Sequence, residues 1–290
     1  MPFDEITGVS TDPAISEVIS ADLMFAYIMI TRPDICKALI AILLGVFSID
    51  RIEYIIDDNE ISESDQPQIQ KVLMSAIKNR GVRLDVYLDN GRQIFNLEMA
   101  ASSEVAILKR IRAHEMMIDA HQMQRGKYFD QVKPIYVIFI CKHDPLKEKR
   151  LMYKSSGVRF DHDPTTVHDD GRHRYIFYTK GTEEVVKDEN GEVVKTKPSI
   201  TKKVMEYFDN PDGFPVNDTD IDLIKQIHAA VGEARRSDEW RRAKMAFLEH
   251  QRMAVLEDRR KIAEMMAKNG EPEDKIKLYT GYSLADLAQK

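Results

Sequence analysis

The sequence predicts an α/β domain, and two local patterns indicate its strands. The first is a β-hairpin centred on Asp89-Asn90-Gly91, and the second is a continuous apolar run at residues 134–141. An Asn-Gly pair between alternating apolar segments is typical of a tight hairpin. An unbroken run of β-branched and aromatic residues is typical of a buried strand. With the helical patterns around them, these elements give the order α-β-β-α-β across residues 20–141.

The N-terminal part of this core is predicted to be helical. Ser20 is placed to cap a helix that begins with residues 21–29, and Pro33 interrupts it. A second helix over residues 35–46 is apolar nearly all round, so we expect it to be buried. Gly45 is a natural stop for that helix.

The rest of the chain follows a simple order. We predict a strand at 51–56, a polar excursion at 57–79, a helix over 102–126, a strand at 174–181, an exposed hairpin at 183–197 and helices from 199 onward. The predicted organisation is therefore a core at residues 1–182, a hairpin or linker at 183–200, and a helical region at 201–290.

Composition limits the function only loosely. The chain has 290 residues, 43% of them hydrophobic, and a net charge of −6. This charge argues weakly against a constitutive nucleic-acid binder, although a bound cation would offset an acidic site. Cys36 and Cys141 lie in apolar runs and are predicted to be buried thiols. The N-terminus carries acids without an apolar run, so we expect a cytoplasmic protein with no membrane association.

Two carboxylates stand out in the hairpin. Asp85 lies in its first strand and Glu98 in its second, each flanked by apolar residues. The turn is midway between them, so they are predicted to lie opposite each other across the ladder. Like charges this close raise one pKa or bind a divalent cation, and hard oxygen ligands suit Mg²⁺ or Mn²⁺. The alternative is that each acid pairs with a nearby base.

That alternative has named candidates, which are Arg83, Arg110 and Arg112. From the spacing alone, two acids in a hairpin are a weak motif. The choice between a metal site and ion pairs therefore stays open at this level.

The residues around the carboxylates add a resemblance. The most specific runs are GVRLDVY at 81–87 and NLEM at 96–99. Further matching runs are dispersed in order along the chain, at 22–25, 36–39, 42–45, 108–112, 117–119, 126–128, 136–141, 179–182, 239–241 and 279–283. With these motifs, the chain resembles the PD-(D/E)XK nuclease family transposases, also called recombination-promoting nucleases.

The resemblance implies a fold and an activity. It implies a three-layer, restriction-endonuclease-like core around a mixed sheet, with a helical C-terminal extension. It also implies metal-dependent cleavage of DNA, in which Asp85 and Glu98 bind Mg²⁺ or Mn²⁺ and a main-chain carbonyl near Met99 completes the protein ligands. On the following helix, Arg110 and Arg112 would contact phosphate, although structural pairing or surface solvation explains them equally well.

The chain departs from the family at the third motif position. The family has Gln there, or Lys in related nucleases, to orient or activate the attacking water, and this chain has Ala100. Either the chain is naturally impaired, or another residue substitutes, or activity has been removed by engineering. A second departure follows, since Ala113-His114-Glu115 stands where the family tends to have Tyr-Tyr-Gln.

Two functional classes follow. The first is a DNA endonuclease linked to recombination, mobile elements or phage defence. The second is a nuclease-fold module that binds DNA or a protein without cutting. DNA is the expected partner, and the sequence leaves monomer and homodimer open.

The remaining polar features have simpler interpretations. His162, His168 and His173 lie among acids, but their spacing fits no standard zinc pattern, so a solvated loop is favoured over a metal site. The charged segment at 240–270 is predicted to be a solvated amphipathic helix rather than a DNA-binding one.

Overall fold

The structure is a computed structural model that describes residues 22–46, 49, 53–54, 86–101, 106–124, 128–183 and 198–288. The strands described are β1 (Glu53–Tyr54), β2 (Val86–Asp89), β3 (Ile94–Ala100), β4 (Ile135–Cys141), β5 (Met152–Phe160) and β6 (Asp163–Tyr178). The α-helices described are α1 (Asp22–Thr31), α2 (Pro33–Leu44), α3 (Ile107–Gln124), α4 (Ile200–Asp209), α5 (Asp222–Arg236), α6 (Asp238–Lys268), α7 (Glu273–Thr280) and α8 (Leu284–Ala288).

The described strands form one mixed sheet in the order β1-β2-β3-β4-β6-β5. The pairs β1–β2, β2–β3 and β5–β6 are antiparallel, whereas β3–β4 and β4–β6 are parallel. Helix α3 connects β3 to the parallel strand β4, as a parallel connection requires. The predicted α/β class and mixed sheet are confirmed.

The hairpin between β2 and β3 forms for the local reason that the sequence indicates. Gly91 adopts a φ of +90°, a backbone conformation that favours glycine. The Asn90 side-chain oxygen accepts hydrogen bonds from the backbone N–H groups of Arg92 and Gln93, at 3.0 and 2.7 Å. The register then pairs Asp89 with Ile94. The predicted hairpin is therefore present.

Helices cover both faces of the sheet. On one face, α3 packs over an apolar cluster, which contains Ile94, Ala100, Ile107, Ile111, Ile118, Ile135, Val137, Phe139, Cys141 and Ile176. The alternate residues Phe95, Leu97 and Met99 are buried on the opposite face of β3, since side chains alternate along a strand. Helix α1 contacts β2 and β3 there.

The second N-terminal helix matches its predicted limits closely. Pro33 is its first residue, where its missing N–H costs no hydrogen bond. Gly45 ends it in the left-handed conformation, with a φ of +68°. Six of its residues are buried. Ser20 and residues 57–79 lie outside the described residues, as does most of the hairpin predicted at 183–197.

The prediction of a loop around His162, His168 and His173 is wrong, because most of this segment forms a strand. The tip of the β5–β6 hairpin holds His162, while His168 and His173 lie within β6, which begins well before the strand predicted at residue 174. Most of this arm is exposed on both sides, so its strands lack the apolar alternation that marks a half-buried strand.

The described residues fall into two compact units, 22–240 and 241–288. Helices α4 and α5 belong to the same unit as the sheet, whereas the predicted core ended at residue 182. In the described part of the chain, none of the helices combines the length and the apolar character needed to cross a membrane.

Candidate functional site

The Glu98 carboxylate lies at the interface between β3 and α3, and its side chain is fully buried. Asn96, two residues earlier on the same strand face, donates from Nδ2 to Glu98 Oε1 at 2.7 Å. Arg110 on α3 donates from Nη2 to Glu98 Oε2 at 3.3 Å. A buried carboxylate is costly unless it is paired and hydrogen-bonded, and both requirements are met here.

A second buried residue of α3 extends this network. His114 Nδ1 lies 2.8 Å from Asn96 Oδ1 and 3.4 Å from Glu98 Oε1. The imidazole is fully buried, and its ring centroid lies 5.4 Å from that of Phe139. Asn96, Glu98 and His114 thus form one polar cluster, which we call the Glu98 network, inside the largely apolar β3–α3 interface.

Arg110 links the network to solvent. Its guanidinium carbon lies 5.3 Å from the centroid of the Phe139 ring, a favourable cation–π arrangement. The side chain is 31% exposed, whereas Glu98 is 0% exposed. The ion pair that the sequence left open between a carboxylate and Arg110 is therefore present at Glu98. Arg112 lies on the exposed side of α3.

Asp85 lies outside the described residues, so its position relative to Glu98 is not described. The neighbouring register is described, and it pairs Val86 with Leu97 and Tyr87 with Asn96. Tyr87 packs against the apolar cluster under α3, on the same face as Asn96 and Glu98. Alternate residues of β2 therefore face α3.

Ala100 shares the α3 face of β3 with Glu98, because the two are two residues apart on one strand. The Ala100 methyl is buried in the apolar cluster with Ile107 and Ile111 of α3. The Met99 side chain is buried on the opposite face. A longer side chain at position 100 would therefore enter a packed apolar region.

The Glu98 carboxylate is the kind of oxygen group that a hard cation binds, and in this structure Asn96 and Arg110 donate hydrogen bonds to it. Carboxylate and carbonyl oxygens are the ligands that Mg²⁺ prefers, and Glu98 contributes a carboxylate. Within the described part of the chain, no cluster of three or more His, Cys, Asp or Glu side chains could hold a metal ion.

Comparison of this chain with protein-family models, with curated proteins and with solved structures finds no match. The interpretation of the site consequently depends on its own residues and on their chemistry.

A second ion pair, with a buried acid and a partly exposed arginine, lies beside the Glu98 network. Arg174 of β6 donates from Nε and Nη2 to the two carboxylate oxygens of Glu115, at 2.6 and 2.8 Å. The hydrogen bonds to Glu115 are the main reason that the pKa of Arg174 is raised. One turn further along α3, Asp119 accepts a hydrogen bond from Arg172. Three arginines thus meet three acids along this face of the sheet.

Several of these residues were not singled out by sequence reasoning. Asn96 carried a signal, because a polar residue two positions before an acid in an apolar strand shares its face. His114 and Glu115 carried only their departure from the family pattern. Nothing in the sequence around Arg174 indicated its role, because its partner Glu115 lies 59 residues earlier in the chain.

Proposed function

We propose that this chain is a metal-dependent DNA endonuclease of the PD-(D/E)XK type, with Asp85 and Glu98 as ligands of Mg²⁺ or Mn²⁺. The observation that carries this proposal is the fully buried Glu98 carboxylate on β3, which accepts hydrogen bonds from Asn96 and Arg110 and lies 3.4 Å from His114 Nδ1. Its cellular role would be in recombination, mobile elements or phage defence.

The strand register supports the choice of Asp85 as the second ligand. Val86 pairs with Leu97, and Asp85 and Glu98 are the next residues outward on the two chains. Residues opposite each other in an antiparallel pair project to the same face. We propose that Asp85 lies opposite Glu98, as the spacing of the hairpin in the sequence predicts.

The connectivity is also consistent with the proposal. The antiparallel hairpin β2–β3, the helix α3 and the parallel strand β4 occur in the order that the resemblance implies, with helices on both faces of the sheet. Glu98 lies near the C-terminal end of β3, between the sheet and α3.

In this proposal, some residues would bind the metal ion and others would contact the phosphate. A bound Mg²⁺ would polarise the phosphate and lower the pKa of its water. The ion would be held by the Asp85 and Glu98 carboxylates and by the main-chain carbonyl of Met99. Arg110, which is partly exposed beside Glu98, would donate charge-assisted hydrogen bonds to a phosphate oxygen. Ala100 offers no hydrogen bond to the attacking water.

One observation favours the second candidate, a nuclease-fold module that binds DNA or a protein without cutting. The Ala100 methyl is packed into the apolar cluster, so the third motif position has no polar side chain that could orient the attacking water. Such a module would keep the exposed Arg112 and the partly exposed Arg110 for binding while lacking turnover.

A plasmid assay separates the two candidates. Supercoiled DNA is incubated with the full chain and Mg²⁺ or Mn²⁺, and binding is measured in parallel by gel shift. The endonuclease proposal predicts nicking that Glu98→Gln abolishes and Glu115→Gln, a control on the same helix interface, retains. Binding without nicking would favour the second candidate, and the absence of both would overturn the two proposals.

A further inference from the structure

The Glu98 network has a direction that its hydrogen bonds determine. Asn96 Nδ2 lies 2.7 Å from a Glu98 oxygen, and a carboxylate can only accept a hydrogen bond there. The amide NH₂ of Asn96 must therefore face Glu98, and it also lies 3.4 Å from the backbone oxygen of Val86. This orientation turns Asn96 Oδ1, an acceptor, towards α3.

The partner of Asn96 Oδ1 is then determined as well. His114 Nδ1 lies 2.8 Å away, and a hydrogen bond to an acceptor requires a proton on that nitrogen. The hydrogen bonds run in one sense, from His114 Nδ1 to Asn96 and from Asn96 to Glu98 Oε1. All three side chains are 0% exposed, so water cannot replace any link cheaply.

We infer that His114, acting through Asn96, is a positioning residue that orients the Glu98 carboxylate for cation binding. The inference rests on the proposed function. Oε1 accepts the Asn96 hydrogen bond at 2.7 Å, whereas Oε2 accepts a longer one, at 3.3 Å, from the partly exposed Arg110. We assign Oε2 to the cation, which would displace the Arg110 guanidinium from it. His114 itself is fully buried, so we assign it a role behind Asn96 and not in contact with a substrate.

The physical reason is the freedom of the Glu side chain. A glutamate has several rotatable bonds, and an unrestrained carboxylate loses conformational entropy when it binds an ion. Hydrogen-bond partners behind a ligand reduce this loss, and removing them typically lowers metal affinity about 10- to 100-fold. We expect the same range at His114.

A near-isosteric pair of variants tests the relay. His114→Asn keeps a donor nitrogen close to the position of Nδ1, and His114→Leu has nearly the shape of Asn without a donor. Mn²⁺ alone serves as the probe, and its affinity for the full chain is measured from the loss of the free-ion electron paramagnetic resonance signal. Circular dichroism checks that each variant is folded.

The expected result is a graded one. His114→Leu should bind Mn²⁺ about 10-fold or more weakly than the wild-type chain, and His114→Asn should recover most of the affinity. Glu98→Gln should remove the site. The control Glu115→Gln, which loosens a neighbouring ion pair on α3 without contacting Glu98, should bind as the wild type does.

The outcomes separate this inference from the proposed function. Equal Mn²⁺ affinity of His114→Leu and wild type, with binding lost in Glu98→Gln, overturns the inference and leaves the proposed function standing. A wild-type chain that binds no Mn²⁺ overturns both. If His114→Leu does not fold, ¹⁵N NMR of the wild-type histidines decides, because a His114 ring without a proton on Nδ1 overturns the relay.

Discussion

Arg174 and Glu115 join β6 to α3 through two parallel hydrogen bonds, with N···O distances of 2.6 and 2.8 Å. Their exposure differs sharply, since the Glu115 side chain is 1% exposed and the Arg174 side chain 37%. The pair therefore stabilises the sheet–helix interface in an asymmetric way. If Arg174 is removed, the Glu115 carboxylate is left buried, whereas if Glu115 is removed, the Arg174 guanidinium is left partly exposed to water.

This asymmetry predicts unequal effects of two alanine substitutions. Arg174→Ala leaves a buried carboxylate without a partner, and it should lower the free energy of unfolding by about 3–5 kcal/mol. Glu115→Ala leaves a guanidinium that can reach water, so its cost should be clearly smaller. The measurement is urea unfolding followed by the fluorescence of Trp240, the single tryptophan, which is buried in the same unit.

The control is Arg112→Ala, which removes an exposed arginine from the same helix. Its effect should stay within roughly 0.5 kcal/mol of zero. Equal losses of stability in Arg174→Ala and Glu115→Ala would show that burial does not set the cost of breaking this pair.

The second prediction concerns Ala100. Ala100→Gln should raise the rate of DNA cleavage, because the Gln amide can hydrogen-bond the attacking water. The gain should be up to about 10²–10³-fold, the range by which one oxyanion-hole hydrogen bond changes a rate. The same substitution should lower stability by about 1–3 kcal/mol, because the side chain enters the apolar cluster under α3. Plasmid nicking rates and urea unfolding measure the two effects.

Ala100→Met is the matched control for that change. It has a similar size and no amide, so it should lower stability as Gln does without raising cleavage. If Gln and Met give the same cleavage rate, position 100 takes no part in the reaction.

The third prediction concerns metal and stability. A cation that binds only the folded chain stabilises it by mass action, by about 2.7 kcal/mol at 100 times its Kd. For a domain of this size we expect Mn²⁺ to raise the Tm by roughly 5–10 °C, as measured by differential scanning calorimetry. Asp85→Asn and Glu98→Gln should each remove the rise, and an equal rise in these variants would place the ion elsewhere.

The fourth prediction concerns pH and the tip of the β5–β6 arm. Hydrogen bonds from the Thr166 and Thr165 hydroxyls lower the pKa of Asp163 to about 2. This pKa is lower than the pKa of Asp in the unfolded chain, about 3.9. Ionised Asp163 therefore makes its full contribution to folding stability above about pH 3.9. That contribution is lost as the pH falls through about 2. The Asp163 carboxyl ¹³C shift, followed by NMR, reports this titration.

Two threonine variants make this prediction specific. Thr165→Val should raise the pKa of Asp163 towards its ordinary value, since it removes a hydroxyl that donates to Asp163 Oδ1 at 2.7 Å. Thr182→Val, outside the arm, should leave that pKa unchanged. A pKa near 4 in the wild-type chain would contradict the hydrogen-bonded turn.

Some of these features could be predicted from the sequence because their causes are local. The Asn90-Gly91 pair sets the β2–β3 turn, and an unbroken apolar run specifies β4. Pro33 and Gly45 mark the two ends of α2. In each case, the energy that decides the conformation comes from residues within a few positions of one another.

The tertiary structure alone decided the rest, because distant residues supply the energy. The β5–β6 arm is stabilised by its strand pairing, not by the apolar alternation that sequence reasoning recognises. Eighteen residues separate Asn96 from His114, and their contact exists only because α3 packs across β3. The sequence by itself thus determined the strand that carries Glu98, and the packing of α3 determined which side chains hold its carboxylate.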